Sequence, residues 1–251
     1  MSATAGEDSE SAEAEAPALI WLRDEPSAPR SAHTRAEIAE VALEIADAEG
    51  FDAVSMRRVA QRLGAGTMTL YNYVRNKNEL VTLMANAVVG EALVPEGELA
   101  VEDWRQGLRQ IAVRTHGVLR RHRWALDRLD NGQPVPNGLL SFQQSLRACS
   151  SLAIPTDDKF EVIALLDDYV FGHALREARE IVEQERGWTP EVLQFVRRQL
   201  ETEELSEIRR LLGEDIEAGF DHFGELLLDD ARFERDLDRL LDGIEADLAH
   251  S

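Results

Sequence analysis

The chain has 251 residues and one cysteine, Cys149, with 27 lysines and arginines against 48 aspartates and glutamates. An apolar content of 44% is enough to build a core, which excludes wholesale disorder. A single thiol excludes an internal disulfide framework and a cysteine-cluster metal site. Apolar runs are far shorter than the ~20 residues of a membrane span, and the acidic start lacks a signal-peptide core. We therefore expect a cytoplasmic protein with no membrane partner.

The net charge of −21 is unevenly distributed along the chain. Residues 54–80 carry five basic side chains and one acidic one, a net charge of +4. Residues 81–251 carry 19 basic and 34 acidic side chains, a net charge of −15. A short electropositive window in an acidic chain suits local contact with a polyanion. From charge alone, an ordinary solvated helix face is an equally good interpretation.

The first 33 residues precede any predicted domain. Residues 1–18 are rich in alanine, glutamate and serine without a hydrophobic period, which predicts a disordered acidic tail. Residues 19–33 combine Ile20-Trp21-Leu22 with two prolines, which predicts an extended arm attached to the domain surface by its apolar triplet.

Four helices are predicted between residues 34 and 93, because capping residues precede apolar positions at helical spacing. Their predicted N-caps are Thr34 (in a capping box with Glu37), Ser55, Thr67 and Asn76, and their predicted ends are Gly50, Gly64, about Val74 and about Leu93. The remaining predicted helices are 101–121, 123–129, 138–153, 156–186, 190–212 and 230–249. No segment alternates with period two for long enough to predict a strand, so the fold class is all-α.

The second and third helices have the layout of a helix–turn–helix, in which two short helices flank a glycine-containing turn. A step of ~100° per residue along the third helix places Leu70 and Val74 toward the core. Met68 and Asn72 are then predicted to point directly away from the core, and Thr69, Tyr71 and Tyr73 to lie on the flanks of this outward arc. They offer hydrogen bonds and methyl contacts to DNA bases and phosphates. Lys77 lies in the first turn of the next helix, a position that suits a phosphate.

Two segments carry a resemblance to a known family: Ser55-Met56-Arg57-Arg58-Val59-Ala60-Gln61-Arg62-Leu63-Gly64 and Thr69-Leu70-Tyr71-Asn72-Tyr73-Val74-Arg75-Asn76-Lys77-Asn78-Glu79-Leu80. They closely resemble the N-terminal domain of TetR-family transcriptional repressors. The resemblance covers roughly residues 34–90. It implies a three-helix DNA-binding head, a larger helical-bundle body that binds a small inducer, and a homodimer that reads a palindromic double-stranded DNA operator. The family pattern places DNA contacts at positions matching Arg57, Thr67, Met68, Thr69, Tyr71, Asn72, Tyr73 and Lys77.

The predicted organisation is a tail (1–18), an arm (19–33), a helix–turn–helix DNA-binding domain (34–80) and a ligand-binding and dimerisation domain (81–251). Arg23 and Arg30 of the arm are hypothesised to reach the adjacent minor groove. The apolar stripe of the last helix fits either an intrachain core or a dimer seam, and it comprises Phe233, Leu237, Leu240, Leu241, Ile244 and Leu248. The resemblance favours a homodimer formed through helices near 156–186 and 230–249.

The body resembles the tetracycline-binding members of the family only weakly. Aligned on them, the positions that hold tetracycline and its magnesium fall on Leu93, Ile111 and Leu129, none of which can coordinate a metal. Tetracycline–magnesium is therefore predicted not to be the inducer. A large apolar pocket is predicted instead. Its proposed lining is Trp104, Thr115, Phe142, Tyr169 and His173.

Other polar residues are assigned no chemistry. The six histidines have no metal-ligand spacing and are interpreted as scattered, so no metal, cofactor or catalytic residue is predicted. Asp167 and Asp168 interrupt an apolar helix. An exposed face is the favoured interpretation, and contact of one of them with a ligand or with Arg176 is the alternative.

The sequence thus predicts a ligand-responsive repressor released from DNA by a small, largely apolar molecule. The alternative is a helical small-molecule-binding protein or enzyme without DNA function. An activator on the same scaffold also fits the sequence.

Overall fold

The computed structural model describes residues 19–26, 33–128 and 134–249. The predicted tail, Arg30 and Leu129 lie outside these ranges. Every regular element within them is helical, which confirms the all-α prediction. The head contains α1 (Arg35–Glu49), α2 (Met56–Leu63), α3 (Thr67–Tyr71) and the start of α4 (Lys77–Ala92). The body contains α5 (Trp104–Arg121), α6 (Ala125–Arg128), α7 (Pro136–Ala148), α8 (Thr156–Arg186), α9 (Pro190–Leu200), α10 (Ser206–Leu212), α11 (Ile216–Leu227) and α12 (Asp230–Leu248).

Side-chain caps set the starts of three head helices as predicted. Thr34 and Glu37 form the capping box of α1, and the Ser55 hydroxyl accepts a hydrogen bond from the Arg58 amide at 3.2 Å. The Asn76 side chain likewise accepts from the Glu79 amide at 2.9 Å. Each cap satisfies a backbone donor that the helix itself leaves unpaired.

The predicted bounds of α3 are wrong at both ends. Gly66 is its N-cap and Thr67 its first residue, with no side-chain cap. The helix ends at Tyr71 rather than near Val74. A helix this short leaves the following residues free to turn, so the ~100° step does not apply to them.

The described part of the arm, residues 19–26, is docked on the head. Ile20–Leu22 forms a 3-10 turn, and Ile20 is buried in the core of the head. Arg23 forms an ion pair with Glu79 of α4 at 2.6 Å, and both side chains are largely shielded from solvent. The minor-groove contact hypothesised for Arg23 would have to break this pair.

Two apolar cores organise the chain. The first core is formed by the four helices α1, α2, α3 and α4, and it extends into the body through Val118 of α5 and Ala125 of α6. The second lies among α5, α7, α8 and α12. Gly107 lets α5 approach closely here, because a Cβ at that position would lie 2.9 Å from the Cβ of Ala148. Burial in the two cores is the main stabilising contribution to the fold.

The stripe of α12 lies largely within this second core. Phe233, Leu237, Leu241 and Ile244 are buried against the same chain, while Leu240 is only partly buried. Most of the stripe therefore belongs to the intrachain core, one of the two interpretations that the sequence left open.

The segment between α8 and α12 departs from the predicted helices. The single helix predicted for 190–212 is divided into α9 and α10 by a 3-10 turn at Glu203–Leu205. The sequence analysis also missed α11, which begins where the Asp215 carboxylate accepts a hydrogen bond from the Ala218 amide at 3.2 Å. In the described part of the chain, no helix combines the length and apolarity needed to cross a membrane.

Candidate DNA-binding surface and ligand cavity

The turn between α2 and α3 depends on a left-handed glycine. Gly64 has φ 68° and ψ 22°, a conformation that L-residues with a side chain seldom adopt, and it caps α2. Val59 and Ala60 of α2 and Leu70 of α3 are buried against α1 and α4. The opposite side of α3 is consequently held out to solvent in a fixed orientation.

Most of the predicted DNA contacts lie on this outward side. Met68 is 78% exposed and Tyr71 43% exposed, which is unusual for such large apolar or aromatic side chains. The other exposed members of the set are Arg57, Thr69, Asn72 and Lys77, and Thr67 is half-buried. These seven residues are hereafter called the recognition surface.

Tyr73 is the exception and corrects the predicted set. It is only 4% exposed and belongs to the core of the head. Because α3 ends at Tyr71, the chain turns inward before Tyr73, and its backbone carbonyl accepts a hydrogen bond from Arg35 at 3.3 Å. Tyr73 is therefore a packing residue rather than a part of the outward face.

The basic side chains of this region divide into two groups. Arg58 and Arg62 face carboxylates of α1, with Arg58 at 2.6 Å from Glu49 and Arg62 at 3.7 Å from Glu44. Arg57, Arg75 and Lys77 form no ion pair among the described residues. The Lys77 ammonium lies 5.2 Å from the centre of the Phe51 ring, at the N-terminus of α4. An ammonium group at a helix N-terminus suits a phosphate.

The body contains a mostly apolar cavity of about 500 Å³ between α4, α5, α7 and α8. Ala85, Val88, Val89 and Ala92 form the α4 wall. The remaining lining residues are Ile111, Thr115, Val118, Leu119, Ala125, Leu126, Val135, Ser141, Asp167 and Phe171. Its volume is in the range of small-molecule sites.

Asp167 is the acidic residue of this lining. Its side chain reaches solvent, yet desolvation by the surrounding protein and then repulsion from Asp168 raise its pKa to about 6. A ligand amine or hydrogen-bond donor would relieve this penalty. Thr115 and Ser141 add two hydroxyl groups to the wall.

Of the five predicted ligand-binding residues, the structure places only Thr115 in this cavity. Trp104 packs against the second core. Tyr169 and His173 lie against Phe233 of α12, with ring centres 5.4 and 5.1 Å away. Phe142 instead contacts Phe160 on the surface, 6.2 Å between ring centres. These four residues therefore do not line this cavity, because residue type and helix position do not tell which helix faces which.

The exposed face that the sequence favoured for Asp167 is confirmed, but the same side chain also borders the cavity, beside Phe171, which was not predicted to line it. The signal was present, since a charged residue inside an apolar helix is costly unless it meets water or a ligand. Which residue of the Asp167-Asp168 pair turns toward the cavity depends on how α8 packs against α5 and α7, and that information is not local.

The histidines are less scattered than expected. His116 of α5 and His173 and Glu177 of α8 are all buried, and their ligating atoms lie within 4.8 Å of one another. Desolvation of the buried imidazole is the main cause, and the charge of nearby His116 the second, that lowers the pKa of His173 to about 4. The pKa of Glu177 is lowered despite its burial, because His116 and Arg120 stabilise the carboxylate.

A third histidine joins the head to the body. His122, buried at the end of α5, has Nδ1 2.8 Å from an Asp47 oxygen on α1 and Nε2 3.2 Å from a Glu91 oxygen on α4. The Trp124 indole donates to the same Asp47 carboxylate at 2.7 Å. We call these side chains the His122 clamp. It connects the two domains at the C-terminal end of α4.

A helix–turn–helix head on a helical body with an internal cavity defines a class of DNA-binding regulators. The body, residues 96–248, matches the family described as tetracyclin repressor-like, C-terminal domain, and residues 38–84 match that of bacterial regulatory proteins, tetR family. The chain belongs to the TetR family of transcriptional regulators.

Several characterised relatives are similar to the chain. The transcriptional repressor DrrR1 of Streptomyces coeruleorubidus is 34% identical over 160 residues, which are 62% of this chain and 58% of that repressor. The class E tetracycline repressor of Escherichia coli is 24% identical over 141 residues, 56% of this chain and 67% of that protein. The Streptomyces coelicolor TetR-family protein ActR, solved in complex with actinorhodin, superposes with a TM-score of 0.59 at 28% identity, covering 88% of this chain and 97% of ActR.

Proposed function

We propose that the protein is a ligand-responsive repressor that binds a palindromic DNA operator as a homodimer and is released by a small molecule. The recognition surface would lie in the major groove, with Met68, Thr69, Tyr71 and Asn72 toward base edges. Arg57 and Lys77 would contact phosphates. Relatives described as repressors of transcription support this assignment.

One observation carries the proposal: a single helix, α4, belongs to both sites. Its first residue, Lys77, lies at the recognition surface, and its last turns, from Ala85 to Ala92, form one wall of the cavity. A helix of 16 residues moves as a unit, so a ligand that displaces the cavity wall also displaces the head.

The His122 clamp connects a movement of α4 to the head. Glu91, at the cavity end of α4, is bonded to His122 and also pairs with Arg121 at 2.7 Å. Asp47 of the head is held by the same imidazole. A ligand that favours a different α4 position must rearrange these contacts, and coupling energies of ~1–3 kcal/mol suffice to change operator occupancy.

The cavity also indicates the chemistry of the ligand. Its walls are predominantly aliphatic, so most of the ligand is expected to be apolar. Asp167 adds a preference for a basic amine or a hydrogen-bond donor, because such a group stabilises the desolvated carboxylate. Ile111 forms part of this wall and cannot coordinate a metal, which supports the prediction that tetracycline–magnesium is not the inducer.

The dimer is proposed to form along α8. This helix exposes Leu165 (46%) and Val182 (51%), whereas the buried residues of α12 are occupied within the chain. Exposed apolar side chains on a long helix favour association with a second copy. Replacing Leu165 by glutamate is expected to yield monomers in light scattering. Dimers that persist in this variant would place the interface elsewhere.

The ligand assignment is tested with compounds that share one ring system but carry an amine, an alcohol or a carboxylate. The amine is expected to release a bound operator duplex at the lowest concentration, and Asp167→Asn to remove that preference. Val89→Phe, which fills the cavity, is expected to abolish release, whereas Val192→Phe on exposed α9 serves as the matched control. Equal release by all three compounds would contradict the role of Asp167.

A further inference from the structure

Three ligating side chains converge in the interior of the body, away from the apolar cavity. His173 and Glu177 are four residues apart on α8 and therefore share one face of that helix. His116 projects toward them from α5, which packs along α8. All three are buried, with exposed fractions of 7%, 9% and 6% for His116, His173 and Glu177.

We propose that His116, His173 and Glu177 form a binding site for a divalent transition-metal ion of the Zn²⁺ class. Two imidazoles and one carboxylate are a donor set that zinc accepts, and three protein ligands leave a fourth position for water or another ligand. The ligating atoms lie within 4.8 Å of one another, so side-chain adjustments of about an ångström would bring them to zinc distances.

The surroundings already orient the ligands. Glu177 Oε2 lies 2.9 Å from His116 Nε2, while its other oxygen forms an ion pair with Arg120 Nε at 2.8 Å. Arg120 thus holds Oε1 and leaves Oε2 for the metal, the arrangement that outer partners give to a ligating carboxylate. The His116 ring stacks on Phe233 at 3.8 Å between centres and 9° between planes, which fixes the orientation of the imidazole.

A cleft of about 330 Å³ borders the site. Its lining includes Glu177, one of the three proposed ligands, together with Gly117 and Ala178.

An internal ion pair is the competing explanation, because His116, Glu177 and Arg120 satisfy one another without a metal. That explanation makes no use of His173, which is buried beside His116 with 5.2 Å between the ring centres. A metal would use His173 and would link α5 to α8 directly. The site is separate from the apolar cavity, so its failure would leave the proposed repressor function untouched.

The first experiment measures Zn²⁺ binding to the full chain by competition with a chromophoric chelator in excess Mg²⁺, which occupies nonspecific acidic sites. We expect one Zn²⁺ per chain. His173→Asn and Glu177→Gln are each expected to weaken binding at least ~10-fold, and Arg120→Gln ~10-fold or more through the outer contact. The matched control is His222→Asn, an exposed histidine on α11, which should bind like the native protein.

Absence of stoichiometric binding, or unchanged affinity in both His173→Asn and Glu177→Gln, overturns the proposal. Should these variants fail to fold, the native protein decides the question through its Co²⁺ spectrum. An intense visible band of four-coordinate cobalt, displaced by one equivalent of Zn²⁺, supports the site. A weak band of six-coordinate cobalt overturns it.

Discussion

The Asp167 carboxylate makes a prediction about stability as well as about ligand choice. Its pKa rises from 3.8 to about 6, with desolvation as the main cause. The folded state therefore binds this proton more tightly than the unfolded state does. Below pH ~4 the group is protonated in both states and imposes no penalty. The penalty grows as the pH rises from the unfolded pKa of 3.8 to the folded pKa of about 6, and it is constant above that range.

The size of this effect follows from the shift. About two pKa units correspond to ~3 kcal/mol at 1.36 kcal/mol per unit. Since the Asp167 side chain reaches solvent, screening reduces the expected effect to ~1 kcal/mol. Asp167→Asn is consequently expected to stabilise the ligand-free protein by ~1 kcal/mol at pH 8, with a gain that disappears toward pH 4.

The assay is urea unfolding, followed by circular dichroism, at a series of pH values between 4 and 8. The matched control is Glu161→Gln, an exposed carboxylate on the same helix that does not line the cavity. It should show no comparable gain. A gain for Asp167→Asn that is independent of pH, or a loss of stability at pH 8, would refute the electrostatic reasoning.

Three further substitutions test other parts of the molecule. Lys77→Ala is expected to weaken binding to every DNA sequence and to reduce the slope of log affinity against log salt concentration by ~1, because one phosphate contact is lost. Fluorescence anisotropy measures this slope, and an unchanged slope would speak against a phosphate contact. Tyr73→Phe should leave DNA affinity within about twofold, because the ring is buried, and a tenfold loss would restore it to the recognition surface. His122→Ala should cost ~2–3 kcal/mol in chemical unfolding, because it removes the contacts of a buried imidazole with the Asp47 and Glu91 carboxylates. Replacing the exposed His222 by alanine should cost under ~0.5 kcal/mol, and equal effects of the two substitutions would dismiss the clamp.

The parts of the fold that follow from local chemistry were predictable from the sequence. The N-caps at Thr34, Ser55 and Asn76 and the glycine turn at Gly64 are decided by residues three or four positions away. The bounds of α8 were likewise correct, at Thr156–Arg186. The end of α3 was missed because tertiary packing decides where a helix of five residues stops. The helix α11 was missed although Ile216, Phe220, Phe223 and Leu227 stand at helical spacing in the sequence.

The sites divide in the same way. Exposure of Met68 and Tyr71 follows from burial of Leu70 on the opposite side of one helix, so a helical projection was sufficient. The ligand cavity requires four helices to meet, and no local pattern shows that Asp167 joins Thr115 rather than Tyr169. The convergence of His116 with His173 is equally non-local, although the spacing of His173 and Glu177 was visible in the sequence.

The central claim is that the recognition surface reads DNA sequence in a dimer. The most direct measurement is selection of bound duplexes from a random pool, comparing the native protein with a Thr69→Ala, Tyr71→Ala, Lys77→Ala triple variant. These three side chains are exposed, so the variant is expected to keep its fold, which circular dichroism checks. The account predicts that the native protein alone enriches a palindrome. No enrichment at low salt, or the same palindrome from both proteins, would contradict it.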